Sequence, residues 1–196
     1  TGRVEQAVPV LRAALTTNPN HPEAHWELGY AYRFGGMLRE SIAEGERARQ
    51  LDPEVKLNSS AFNSYFYDGQ YEKFLASLPT QTPSAFITFY RGLGLYYLKN
   101  WERAAADFEQ AYKNNPTSLY VQIGQALRYH IARQTTQGLE QLRAIEQQMQ
   151  TQKVTDAEAL YKVAQAYAEL GDKAAACGVF GRRTPPPRAS RRARPR

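Results

Sequence analysis

The chain is poor in the residues that most often do chemistry: 196 residues hold one Cys, three His and two Met. A lone Cys177 excludes a disulfide within the chain and leaves the redox compartment open. No run of 18 apolar residues occurs, which excludes a membrane-spanning helix. Also missing are a nucleophile elbow, a phosphate-cradling loop, and the Gly-rich loop, His-Arg-Asp and Asp-Phe-Gly of a kinase. Thr1 is not followed by a basic-then-apolar leader, so the chain reads as a fragment or excised region, and a cytoplasmic location is expected.

What is present is an ordinary globular composition, 42% apolar, long enough to bury a core. The net charge of +6 is a local property. Residues 181–196 hold seven Arg and no acid; without those seven the 25 basic residues fall to 18, against 19 acidic. The body is near neutral, and nucleic acid is not the expected partner of its folded part.

The strongest pattern is a repeat. Pro19 and Pro53 stand 34 residues apart, and "AVPVLRAALTTNP", "SIAEGERARQLDP" and "AAADFEQAYKNNP" align on their final Pro. Small residues recur twelve before it (Ala7, Ser41, Ala104), and an Ala recurs five before it (Ala14, Ala48, Ala111). Upstream lie "LGYAYRFGGM", "GLGLYYLKNW" and "AQAYAELGDK". The pattern predicts two short antiparallel helices per unit. Gly29, Gly92, Ala164 and Ala176 allow close backbone approach, and Leu28, Tyr32, Tyr167, Leu11 and Phe108 fill the space beside them. Asp52-Pro53 and Asn115-Pro116 end second helices, because the residue before Pro avoids the helical region. One pair cannot bury its apolar face, so pairs must stack.

"WELGYAYRFGG…SIAEGERARQLDP" resembles the tetratricopeptide repeat, over roughly residues 3 to 180. The resemblance implies an all-α fold: a right-handed α-solenoid of about five and a half antiparallel helix pairs across 1–180. The first unit keeps only its second helix. The third is short, with a stunted second helix and an expected soft spot at 70–83. The fifth has two registers, with Gly124 or Ala126 as its close-contact residue. In arrangement the chain also resembles the repeat arrays that follow serine/threonine kinases or other output domains in some bacteria. Gly178, Gly181 and Pro185–Pro187 are expected to stop the last helix, leaving 181–196 as a disordered tail. Its Arg/Pro/Ala/Gly composition reads as a lost reading frame near Cys177, or else as a basic tail for nucleic acid or acidic surfaces.

His21 and His25, four apart around Glu23, raise the question of a metal site. A zinc site needs three or four ligands, and His130 and Cys177 are distant in sequence. The competing reading is a helix entrance: Asn20 or His21 as N-cap, Pro22 in the first turn, and Glu23 complementing the dipole. No cofactor is expected.

The aromatics carry more information: 13 Tyr, 8 Phe and 2 Trp. In the family resembled, first helices line a concave groove. Its positions map to Trp26, Tyr30 and Arg33 in the second unit, and to Ser60, Ser64 and Tyr67 in the third. The fourth gives Phe89, Leu93, Tyr96 and Tyr97; the fifth gives Ile123, Leu127 and His130; the sixth gives Tyr161, Lys162 and Gln165. The implied activity is non-catalytic capture of a peptide or protein segment, since Tyr and Trp bury large area with few rotors. Too few basic residues are present for a clamp on acidic chaperone C-termini. Oligomeric state stays open.

Overall fold

The computed structural model describes residues 4–55, 63–78 and 83–181. These form eleven helices: α1 (Val4–Thr17), α2 (Pro22–Phe34), α3 (Leu38–Leu51), α4 (Asn63–Tyr67), α5 (Tyr71–Ser77), α6 (Ala85–Tyr97), α7 (Trp101–Asn114), α8 (Leu119–Ile131), α9 (Thr135–Thr151), α10 (Ala157–Glu169) and α11 (Lys173–Gly181). No strand occurs among the described residues, and none of their helices is long and apolar enough to cross a membrane. The fold is an all-α helical-repeat solenoid. The chain divides into two compact units, 1–104 and 105–196.

The first helix of each pair ends in the same way. Gly36, Gly69, Lys99, Arg133 and Gly171 have φ of 77°, 76°, 60°, 61° and 89°. The next residue's N–H then reaches back to a carbonyl five positions earlier: Met37 to Tyr32 at 2.9 Å, Gln134 to Tyr129 at 2.8 Å, Asp172 to Tyr167 at 2.9 Å. This is the Schellman closure, which satisfies orphan carbonyls through one left-handed residue. Where that residue is not glycine, the Cβ costs about 1 kcal/mol. Arg133→Gly is therefore expected to raise stability by roughly 0.5–1 kcal/mol in urea denaturation. A loss of stability there would mean that the Arg133 side chain matters more than its backbone.

Across each turn the two helices meet at small residues. A Cβ added to Gly29 would lie 3.0 Å from the Ser41 carbonyl oxygen and 3.3 Å from the Gly45 nitrogen. A Cβ on Gly138 would lie 2.9 Å from the Ala126 carbonyl oxygen. Ala126, not Gly124, is thus the close-contact residue of the fifth unit, in the register that includes His130. In three of the pairs a tyrosine four residues before the turn residue ties the pair to the second helix before it. Arg12 donates to the Tyr32 hydroxyl at 2.8 Å, and the hydroxyls of Tyr65 and Tyr167 donate to Glu46 at 2.6 Å and Glu146 at 3.0 Å. Burial first, then these carboxylate bonds, push both hydroxyls well above the ordinary tyrosine range, so they remain donors.

Second helices vary in length. α3 and α7 have 14 residues each, α5 has seven and α11 has nine. The stunted α5 matches the sequence expectation; residues 79–82 lie outside the described set. α11 runs on through Cys177 and Gly178 to Gly181, its last described residue. Gly178 and Gly181 are both helical, because Ala176 and Val179 are buried, and that burial outweighs the roughly 1 kcal/mol helix penalty of a glycine. Of the tail expected over 181–196, Gly181 is helical and residues 182–196 lie outside the described residues.

Candidate functional site

The helix entrance at His21 is built as the sequence suggested. His21 is the N-cap, with φ −88° and ψ 104°, and Pro22 begins the helix. His21 faces Glu23 at 3.1 Å, whereas His25 sets one ring nitrogen 2.5 Å from Glu44 and the other 2.9 Å from the Pro19 carbonyl. The two imidazoles have separate partners, and His25 ties the turn before α2 to α3. Among the described residues no group of three or more His, Cys, Asp or Glu is gathered for a metal.

In the first unit the aromatics form one connected set. The Arg33 guanidinium carbon lies 5.0 Å from the Tyr30 ring centroid, 4.7 Å from Phe34 and 5.9 Å from Tyr67. A guanidinium stacked in this way draws on the negative faces of all three rings. Tyr30 meets Phe34 edge-on at 4.9 Å. Tyr67 touches Phe66 at 5.6 Å, and Phe66 in turn meets Tyr71 at 5.5 Å and Tyr97 at 5.6 Å. Tyr71 and Tyr97 stack at 5.1 Å with planes 14° apart. Tyr97 meets Tyr96, and Tyr96 meets Trp101 at 5.1 Å. The two ends of this set are open to solvent: Phe34 is 54% exposed and Trp101 44%.

Of the residues expected at the groove, Tyr30, Arg33, Tyr67, Tyr96 and Tyr97 belong to this set. Trp26, Phe89 and Leu93 are core residues, and Phe89 joins the set through Tyr90, 5.2 Å away and itself 6.1 Å from Phe66. All three are buried, and Trp26 clusters with Ala48 and Val55 in the packing of α2 on α3. Sequence reasoning placed them on the groove because their repeat positions match, but bulk at those positions is used to fill the stack. Arg33 and Tyr96 are themselves mostly buried and act beneath the exposed rings. The third unit needs a register correction. Its turn residue is Gly69, so Phe66, not Tyr67, is the counterpart of Arg33 and Tyr96, and Tyr67 is the counterpart of Phe34 and Tyr97. Ser64 is buried with its Oγ 2.6 Å from Ser41 Oγ, and Ser60 lies outside the described residues. Sequence reasoning missed Phe34, Phe66, Tyr71 and Trp101. The available signal was the recurrence of aromatics just before the turns at Gly36, Gly69 and Lys99 and just after the last two of them.

In the compact half 105–196 Ile123 and Leu127 are buried, and His130 and Tyr161 are half-buried. Lys162 is buried, donates to Gln165 Oε1 at 3.3 Å, and has its Nζ 5.3 Å from the Tyr161 ring. The hydrogen bond from Lys113, and then the charge of Arg128, hold the Glu109 carboxyl below its usual range.

The class defined by this arrangement is a helical-repeat interaction scaffold: stacked pairs with a ring-rich surface. The chain belongs to the tetratricopeptide repeat family, which it matches over residues 1–55, 85–118 and 158–182. The repeats of this family form non-catalytic interaction scaffolds. Among curated proteins it is similar to cellulose synthase operon protein C of Escherichia coli K12, 27% identical over 124 residues. That match takes in 63% of this chain but only 9% of the relative's length. Among solved structures it resembles MamA of Desulfovibrio magneticus RS-1 (15% identity, TM-score 0.64, 78% of this chain and 89% of that one). It also resembles YrrB, described as a repeat protein with an unusual peptide-binding site (16% identity, TM-score 0.54, 88% of this chain and 90% of that one). At these identities the likeness shows the fold alone.

Proposed function

We propose that the chain binds a peptide or protein segment on the aromatic surface of its first unit, and that in a larger bacterial signalling protein this surface is the docking or sensory part. The observation that carries the reading is the connected set running from Phe34 through the Arg33 stack and Phe66 to Trp101, with both ends exposed. A buried cation and buried rings hold the exposed rings rigid, so a ligand loses little entropy in ordering them. Tyr hydroxyls beside apolar faces suit a polypeptide, whose backbone alternates polar and apolar surface. The solved structure of YrrB, with its peptide-binding site, is consistent with such a use of the fold.

A peptide library selected on the intact chain provides the test. Phe34→Ala with Trp101→Ala is expected to weaken the selected peptides by at least about tenfold, since anchoring aromatics contribute about 1–2 kcal/mol each or more. Both side chains are exposed, so the variant should keep the parent's helical circular dichroism. A folded double variant that binds every selected peptide at the parent's affinity overturns the reading.

A further inference from the structure

One tie between helix pairs is missing. A tyrosine four residues before the left-handed turn residue recurs as Tyr32, Tyr65, Tyr129 and Tyr167. Three of them bond a side chain of the preceding second helix, whereas the Tyr129 hydroxyl bonds no described residue. Its expected partner is Glu109, seven before Pro116, as Arg12 and Glu46 stand seven before Pro19 and Pro53. Glu109 is engaged elsewhere: one carboxylate oxygen lies 2.9 Å from Lys113 Nζ and the other 3.4 Å from Arg128 Nη2.

Where the tie is absent, α7, α8 and α9 leave a cleft of about 380 Å³. The matching place between α3 and α4, where Tyr65 reaches Glu46, holds only about 20 Å³. Besides the Glu109 ion cluster, the cleft is lined by Tyr112, Gln125, Tyr129 and Gln141. At about 3.6 residues per turn, positions 125, 128 and 129 lie on the opposite face of α8 from 123, 127 and 130, the positions expected at the groove.

The lining selects the ligand. No Leu, Ile, Val or Met lines the cleft, so an apolar anchor finds no wall. An anion would sit beside a charged carboxylate, since Lys113 first, and then Arg128, hold Glu109 below its ordinary range. The groups left for a ligand both donate and accept: the Tyr112 and Tyr129 hydroxyls and the Gln141 carboxamide, none of them bonded to a described residue. Gln125 is buried and fixed beneath them, donating to the Phe108 carbonyl and accepting from Arg128, each at 3.4 Å. The Tyr112 ring, 40% exposed, offers a flat apolar surface.

We infer that this cleft is a second binding site, for a neutral saccharide, with sugar hydroxyls on Tyr129, Gln141 and Glu109 and a C–H face of the sugar ring on Tyr112. A sugar hydroxyl donates and accepts, as these side chains do, and it leaves the Glu109 ion pairs in place. A neutral peptide has similar polar groups, but its side chains need apolar walls. The site shares no residue with the aromatic surface of the first unit.

The test titrates the intact, isotope-labelled chain with maltohexaose, cellohexaose and chitohexaose, following backbone amides by NMR. An acidic galacturonate hexamer and a neutral Asn/Ser hexapeptide serve as controls. At least one neutral hexasaccharide is expected to shift the amides of 109–113, 125–129 and 141 saturably. Tyr112→Ala should weaken it by at least about tenfold. Tyr129→Phe, which removes a hydroxyl bonded to no described residue, should weaken it about three- to tenfold at the parent's melting temperature. Phe34→Ala with Trp101→Ala should leave it unchanged, which separates this site from the peptide surface. The inference is overturned if no neutral hexasaccharide shifts these amides at millimolar concentration, or if both tyrosine variants bind as the parent does. Saturable shifts from the galacturonate or the peptide alone also overturn it, making the cleft an anion or a peptide site.

Discussion

Gly138→Ala is expected to destabilise the second unit, although alanine is the better helix former by about 1 kcal/mol. The new methyl would lie 2.5 Å from Leu170 Cδ2 and 2.9 Å from the Ala126 carbonyl oxygen. Leu170 can swing aside; the α8 backbone cannot without parting the pair. Overpacking of this kind costs about 1–3 kcal/mol, so a net loss of up to about 2 kcal/mol remains after the propensity gain. Valine at this position should cost more. Gly45 is the control, a glycine inside α3 whose added Cβ would meet nothing within 4 Å. Gly45→Ala should stabilise by about 0.5–1 kcal/mol. Urea denaturation of the two variants reads opposite signs if close backbone approach is what binds the pairs. The same sign in both would mean that it is not.

Phe66→Ala is the second large effect. The ring is buried and touches five others: Tyr67, Tyr71, Phe74, Tyr90 and Tyr97, with centroids 5.4–6.1 Å away. α4 has five residues and α5 seven, well below the roughly 12–15 that a helix needs to persist alone. They are helical because α6 and this ring hold them. Removing it should cost about 3–5 kcal/mol, enough to open α4 and α5 locally. Hydrogen exchange at 63–78 is then expected to lose its protection while α8–α10 keep theirs. Peptide affinity at the first unit should fall with it, since Tyr67, Tyr71 and Tyr97 lose their support. Phe66→Leu, which keeps most of the volume, should lose far less. Full protection at 63–78 in Phe66→Ala would show that the short helices stand on other contacts.

These two sites also show where sequence reading stopped. The pairing of Gly29 with Ser41, and of Ala164 with Ala176, was legible because small residues at a fixed spacing leave a periodic mark. Gly124 and Ala126 both fitted that mark, and the choice fell to Ala126 only through its carbonyl over Gly138. Trp26 and Phe89 sit at groove positions by count, yet a large ring beside a small-residue contact is drawn into the gap that the contact leaves. Phe34 and Trp101 flank turns, where a sequence gives no sign of which side of a ring meets water.

The sequence alone determined the repeat, the all-α class, the prolines that end α3 and α7, and the shortness of α5. Each follows from local rules: spacing, backbone restriction, and the number of residues available to a helix. Only the tertiary structure decided which aromatics face solvent, that Arg33 lies among three rings, and that α11 runs on past Gly178. Those depend on how neighbouring helices divide a shared volume, and burial there outweighs local preferences of about 1 kcal/mol per residue.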